Sequence, residues 1–114
     1  MTTIYHNPRC SKSRECFNIL NNAEKGVEVI NYIRNPFRRE KFLEIIELLQ
    51  IAPIELVRTN ESIWKENYKG RKLSDEEIIE AMLEHPKLIQ RPIVVKDGKA
   101  VIARPPEDVF KLLQ

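Results

Sequence analysis

The sequence is short of the residues that would tie it to several function classes. Its 114 residues include only two cysteines and three glycines. Two cysteines cannot build the disulfide framework of a small secreted domain, and in a reducing compartment such residues are more often catalytic, metal-binding or buried. No repeat, low-complexity segment or domain linker interrupts the chain. No apolar run approaches the length that spans a membrane, and Met1-Thr2-Thr3-Ile4 has no signal-peptide layout. A cytosolic, soluble protein with no membrane partner is expected. Charge of one sign is lacking too. Nineteen basic against seventeen acidic residues leave a formal charge of +2, too mild to argue for a nucleic-acid partner.

What is present suits one domain with one core. Hydrophobic residues make up 42% and charged residues 32%, ordinary values for a globular protein. A short strand over Thr3–Tyr5 leads to a helix at about Ser11 to Ala23, with Cys16, Phe17, Ile19 and Leu20 as its apolar stripe. Gly26 ends that unit, and Val27 to Tyr32 reads as a second strand, parallel to the first. Phe42, Ile45, Ile46 and Leu49 recur at i, i+3, i+4, i+7, which predicts an amphipathic helix over about Arg38 to Leu49. Pro53 suits the first turn of a short helix to about Val57. Ser74-Asp75-Glu76-Glu77 is a capping box opening a helix that buries Ile78, Ile79, Met82 and Leu83 and stops at Pro86. Pro92–Lys96 and Lys99–Ala103 read as strands joined by Asp97-Gly98, a strong hairpin signal. Pro105 and Pro106 start a last helix with Val109, Phe110, Leu112 and Leu113 on its apolar side.

The order βαβ, helices, ββα predicts an α/β fold of thioredoxin-like type with a mixed four-stranded sheet. The core is expected at about residues 1–33 and 88–114, with a helical insertion over about 34–87. Arg91-Pro92 falls where such folds place a cis-proline beside an active cysteine.

Cys10 carries the chemistry. It stands where the first helix begins, and the leading N–H groups of a helix favour an anion. Arg9, Lys12, Arg14 and His6 lie within four residues and push the same way. Lowering a thiol from about pKa 8.5 by about two units makes it mostly thiolate, the nucleophilic form. Cys16, six residues on, sits about 240° around the helix, so an intrahelical disulfide does not suit the geometry. Cys16 is expected to be core.

Tyr5-His6-Asn7-Pro8-Arg9-Cys10, Arg58 in Leu56-Val57-Arg58-Thr59-Asn60, Gln90-Arg91-Pro92-Ile93-Val94-Val95 and Ala103-Arg104-Pro105 together resemble the ArsC-type arsenate reductases, the glutaredoxin-coupled class. The resemblance runs in order over nearly the whole chain. It implies that Cys10 attacks arsenate or a similar oxyanion, that Arg58, Arg91 and Arg104 surround the anion, and that His6 tunes the thiol. It further implies glutathione as co-substrate, glutaredoxin as partner and no bound cofactor. Arginine suits the task because its planar fork donates two hydrogen bonds and stays charged. Ser11 or its N–H is a candidate oxyanion contact. After the cysteine, well-studied members read Gly-Thr-Ser-Arg where this chain has Ser11-Lys12-Ser13-Arg14, and they continue beyond the position of Gln114.

Each residue also has a plain reading. Arg58, on a helix, could be a solvated surface residue, and His6 could be a turn residue satisfying backbone groups. Lys12 and Arg14 read as ordinary first-turn residues, as Ser13 could. Arg91 and Arg104 stand at opposite ends of the hairpin, where the turn returns them to each other, and two adjacent cations call for an anion between them. The run from Arg34 to Lys41 reads as a solvated helix start, and His85 as a loop residue. The phosphatase-like arsenate reductases need Cys-x5-Arg, but position 16 is Cys. A dithiol switch needs Cys-x-x-Cys, but position 13 is Ser. A zinc site from His6, Cys10 and Cys16 lacks a fourth ligand and paired spacing. Two alternatives remain: a monothiol glutaredoxin-like protein acting on glutathione mixed disulfides, and a non-enzymatic Spx-like binding module.

Overall fold

The computed structural model describes residues 2–113. Four strands form one mixed sheet in the order β2-β1-β3-β4: β1 (Thr2–His6), β2 (Glu28–Asn31), β3 (Ile93–Lys96) and β4 (Lys99–Ile102). β1 pairs with β2 in parallel, Ile4 opposite Val29, and with β3 in antiparallel fashion, Ile4 opposite Val94. β3 and β4 close a hairpin through Asp97 and Gly98. Both turn residues have positive φ, 49° and 75°, as a type I′ turn requires and as an Asp-Gly pair readily adopts.

Two compact units share the chain: residues up to Asn35 together with Arg91 onward, and Pro36–Gln90. In the first, helix α1 (Ser11–Ala23) and a 3-10 segment (Pro106–Leu112) pack together over the sheet. Ile4, Cys16, Leu20, Val94, Ala103 and Val109 form a fully buried cluster. Ile4, Val94 and Val101 stand in one row across β1, β3 and β4, so one face of the sheet meets α1. Thr2 and Lys96 both hydrogen-bond the Glu24 carboxylate just beyond the end of α1. This unit has the thioredoxin-like βαβ–ββ arrangement.

The second unit holds α2 (Arg39–Leu49), α3 (Ser62–Asn67) and α4 (Asp75–Glu84), with 3-10 turns at Pro53–Leu56 and Pro86–Leu88. Phe42, Ile45 and Ile46 form the buried stripe of α2, and Ile78, Ile79, Ala81 and Met82 that of α4. The α4 capping box forms: Glu77 N–H donates to Ser74 Oγ at 3.2 Å, and Ser74 N–H donates to Glu77 Oε1 at 3.0 Å. Arg39 pairs with Glu76 and Glu80 and ties α2 to α4.

The structure departs from the sequence expectations in four places. α3 is an additional helix, too short for its apolar pattern to show a period. The C-terminal segment is 3-10 rather than α, which leaves Phe110 49% exposed. With three residues per turn, Pro106, Val109 and Leu112 line one side and Phe110 rotates outward. Leu83 is only half-buried, and Ala81 takes a place in the buried face of α4. Arg58 lies beyond the 3-10 turn rather than on a helix, where its N–H donates to Leu88 O beside the Val57–Ile89 bridge.

Candidate active site

Cys10 is the N-cap of α1. Its backbone is extended (φ −96°, ψ 123°), and its carbonyl accepts the first helical bond, from Arg14 N–H at 3.0 Å. The Asn7–Cys10 turn delivers it there. Cys10 N–H donates to Asn7 O at 3.0 Å, and Arg9 N–H donates to Asn7 Oδ1 at 3.0 Å, an Asx turn of the kind Asn-Pro sequences favour.

Ser13, in the first turn of α1, is fully buried. Its Oγ accepts from Asn7 N–H at 3.0 Å and lies 2.7 Å from His6 Nδ1. With one hydrogen bond already accepted, the hydroxyl proton is free to donate to Nδ1, which suits a neutral imidazole protonated on Nε2. His6 closes β1, one residue beyond the expected strand, and faces the same side as Ile4, with its ring 5.8 Å from that of Phe17. Burial, and then the charge of Arg14, hold its pKa below the usual value against a raising contribution from Ser13. These influences favour the neutral imidazole. Its link toward Cys10 runs through Ser13.

The hairpin brings two arginines to the sulfur. Arg104 Nη1 lies 3.8 Å from Cys10 Sγ and donates to Arg91 O at 3.1 Å. The Arg91 guanidinium helps lower the thiol pKa as a donor and by its charge. Its Nε is buried and has no hydrogen-bond partner among the described residues, leaving donor capacity for an anion. Both arginines precede cis-prolines, Pro92 and Pro105.

Burial is the largest single influence on the Cys10 thiol and would raise its pKa. The Ser13 N–H, the Arg91 hydrogen bond and charge, and the Lys12 N–H together outweigh it, and the pKa falls to about 7. No geometrically complete capping bond closes on the sulfur, so the two N–H groups act as directed dipoles. Cys16 is the reverse case. Burial alone pushes it to about 12, and it is an inert part of the core. Both cysteines are free thiols.

Of the candidates from sequence, Arg104 reaches both Cys10 and the Arg91 carbonyl, Arg91 acts on the thiol, and His6 bonds Ser13 at the same helix start. Ser11 follows Cys10 as an exposed first-turn residue. Arg58 belongs to the second unit, where its Nε lies 3.8 Å from Glu61. Sequence reasoning passed over two residues. Ser13 sits at i+3 from Cys10, the spacing that faces a helix cap. Arg14 donates from Nη1 to Pro8 O at 2.9 Å. Among the described residues, no group of three or more His, Cys, Asp or Glu side chains could hold a metal ion.

Residues 5–112 match the ArsC family. The chain is 40% identical to the arsenate reductase of Haemophilus influenzae, over 96% of this chain and 97% of that protein. It is 46% identical to the uncharacterized protein YfgD of Escherichia coli strain K12, over 96% of this chain and 94% of the other. Among solved structures, the arsenate reductase from Vibrio cholerae superposes with a TM-score of 0.90 at 41% identity, covering 96% of this chain and 95% of that one. Sequence and architecture agree from end to end: the chain belongs to the ArsC family.

Proposed function

We propose that this protein is an oxidoreductase that reduces arsenate to arsenite through the single thiolate of Cys10, with glutathione and glutaredoxin as electron donors. The observation that carries this reading is a cysteine at the N-cap position of α1 with Arg104 Nη1 3.8 Å from its sulfur, an environment in which Arg91 helps bring the thiol pKa down to about 7. About half the thiol is ionised at neutral pH without any second cysteine or general base. The arginines answer the main electrostatic problem, the approach of a thiolate to an anion. They hold the oxyanion, favour the thiolate and offset the charge that gathers during attack. Ser11 adds an exposed hydroxyl at the same helix start.

In the proposed sequence, the Cys10 thiolate forms a sulfur–arsenic bond, and an arsenate hydroxyl leaves, taking a proton to become water. Glutathione attacks this adduct. The two electrons that convert arsenic(V) to arsenic(III) come from the sulfurs that end as a glutathione mixed disulfide. Glutaredoxin resolves that disulfide, and arsenite leaves. An external thiol is required because Cys16 is buried and protonated and position 13 is Ser. Such a reaction belongs in a reducing, cytoplasmic setting. A non-enzymatic binding module would leave the two converging arginines without an anion.

The test is a coupled assay with arsenate, glutathione, glutaredoxin and an NADPH-driven reductase. Arsenate-dependent NADPH oxidation by the wild type, and none by Cys10→Ser, is expected. Wild type without arsenate-dependent turnover would overturn the assignment.

A further inference from the structure

A cation in the first turn of a helix faces the positive end of the macrodipole, an arrangement that costs stability rather than adding it. Helix α1 carries Lys12 and Arg14 there and no acidic residue. Arg14 is exposed, yet its guanidinium does not simply extend into solvent. It folds back over the turn that carries the cysteine. We propose that Arg14 is a positioning residue for the Cys10 thiol: by donating from Nη1 to Pro8 O at 2.9 Å, it clamps the Asn7–Cys10 turn against the first turn of α1.

That turn is held from the helix at two points. Ser13 grips its first residue through Asn7 N–H, and Arg14 grips its second through the Pro8 carbonyl. Pro8 has no N–H, so its carbonyl is the one backbone hydrogen-bonding group it offers. With both grips closed, Cys10 stays at the N-cap, where the Ser13 and Lys12 N–H groups act on its sulfur. With the Arg14 side chain removed, the exposed Pro8 and Arg9 lose that tie, the turn keeps only the Ser13 grip and its backbone bonds, and the sulfur is held less tightly against the start of the helix. The charged and titratable groups around the turn in this unit are His6 at the end of β1, Arg9 within the turn, Lys12 on α1, and Arg91 and Arg104 at the hairpin ends. Of these, Arg104 lies 3.8 Å from the sulfur and Arg91 helps lower its pKa, whereas Arg14 bonds the turn and not the thiol. Its influence runs through the backbone.

The inference rests on the proposed reductase reading for its kinetic part but not for its titration part. Arg14→Met and Arg14→Lys are compared with wild type by the rate of Cys10 alkylation with iodoacetamide against pH, and by arsenate turnover. In Arg14→Met the alkylation midpoint should rise by about one unit, which cuts the thiolate fraction at pH 7 roughly fivefold. The apparent kcat at pH 7 should fall by a similar factor and recover at higher pH, with KM for arsenate unchanged. Arg14→Lys, which keeps one donor and the charge, should recover part of both. An unchanged alkylation midpoint in Arg14→Met would overturn the proposal. So would a raised KM with unchanged titration, which would make Arg14 an oxyanion ligand. If wild type itself does not turn over arsenate, the reductase reading fails while the alkylation profiles still decide the role of Arg14.

Discussion

Replacing Ser13 with Ala removes one oxygen that serves a buried and a half-buried partner. Ser13 is fully buried, His6 is 8% exposed, and Asn7 is half-buried. The hydroxyl holds His6 Nδ1 at 2.7 Å and accepts from Asn7 N–H at 3.0 Å. The substitution leaves both groups without that partner, and a buried polar group stripped of its hydrogen bond costs about 1–3 kcal/mol. Because water can reach part of Asn7, we expect a combined loss of about 2–4 kcal/mol. For a domain of this size that corresponds to a fall in Tm of roughly 8–16 °C. Urea denaturation with fluorescence detection measures the loss, and the midpoint should move without a change in slope. Ser11→Ala is the control, since an exposed first-turn serine should change stability by less than about 0.5 kcal/mol. A Ser13→Ala loss as small as that of the control would show that the His6–Ser13–Asn7 network does not hold the turn.

Arg91→Ala and Arg104→Ala should each weaken protection of Cys10 by phosphate or arsenate by about 1.5–3 kcal/mol, the range for hydrogen bonds to charged groups; equal protection in both variants would identify these arginines as ordinary surface charges. In the native protein, a thiol reagent at pH 7.5 should modify Cys10 rapidly and Cys16 only after unfolding, and mass spectrometry of native and urea-treated samples would show one adduct and then two. Val109→Ala, at a fully buried position, should cost about 2 kcal/mol, whereas Phe110→Ser should stay within about 0.5 kcal/mol. A reversed order would contradict the 3-10 geometry of the C-terminal segment.

The folded-state pKa of Cys10 also sets a stability profile. Because the thiol pKa is lowered to about 7 in the fold from about 8.5 for an unperturbed thiol, the thiolate stabilises the native state fully above about pH 9, and that contribution disappears as pH falls through about 7. Wild type should therefore gain stability relative to Cys10→Ser as pH rises from 7 to 9.

Much of the fold is legible where local chemistry and long-range packing agree. The 11–23 range of α1 follows from its apolar stripe, and the β3–β4 hairpin follows from Asp97-Gly98. The α4 start follows from its capping box. α3 escapes because six residues cannot display a helical period, and its burial depends largely on Trp64. The exposure of Phe110 could not be read because a 3-10 and an α-helix share the same apolar residues and differ only in angle. The placement of Arg58 depends on an isolated pairing with a distant part of the chain, Val57 with Ile89 just before it and Leu88 O with its own N–H, which no local signal announces.

Within the candidate site, Cys10 and the two hairpin arginines are legible because each stands at an element boundary. A helix cap attracts an anion, and a two-residue turn returns strand ends to each other. Ser13 and Arg14 are less so. Serine and arginine in a first turn are ordinary, and their roles appear only when the preceding turn folds back onto them. The lowered pKa of His6 likewise depends on burial and on Arg14, neither of which a motif displays.

One experiment bears on both halves of the proposed chemistry: the pH dependence of Cys10 alkylation in wild type, with and without arsenate. The expected profile has a midpoint near pH 7, and arsenate slows the reaction by occupying the site beside Arg91 and Arg104. A midpoint at or above about 8.5, the value of an unperturbed thiol, together with no protection by arsenate, would contradict it.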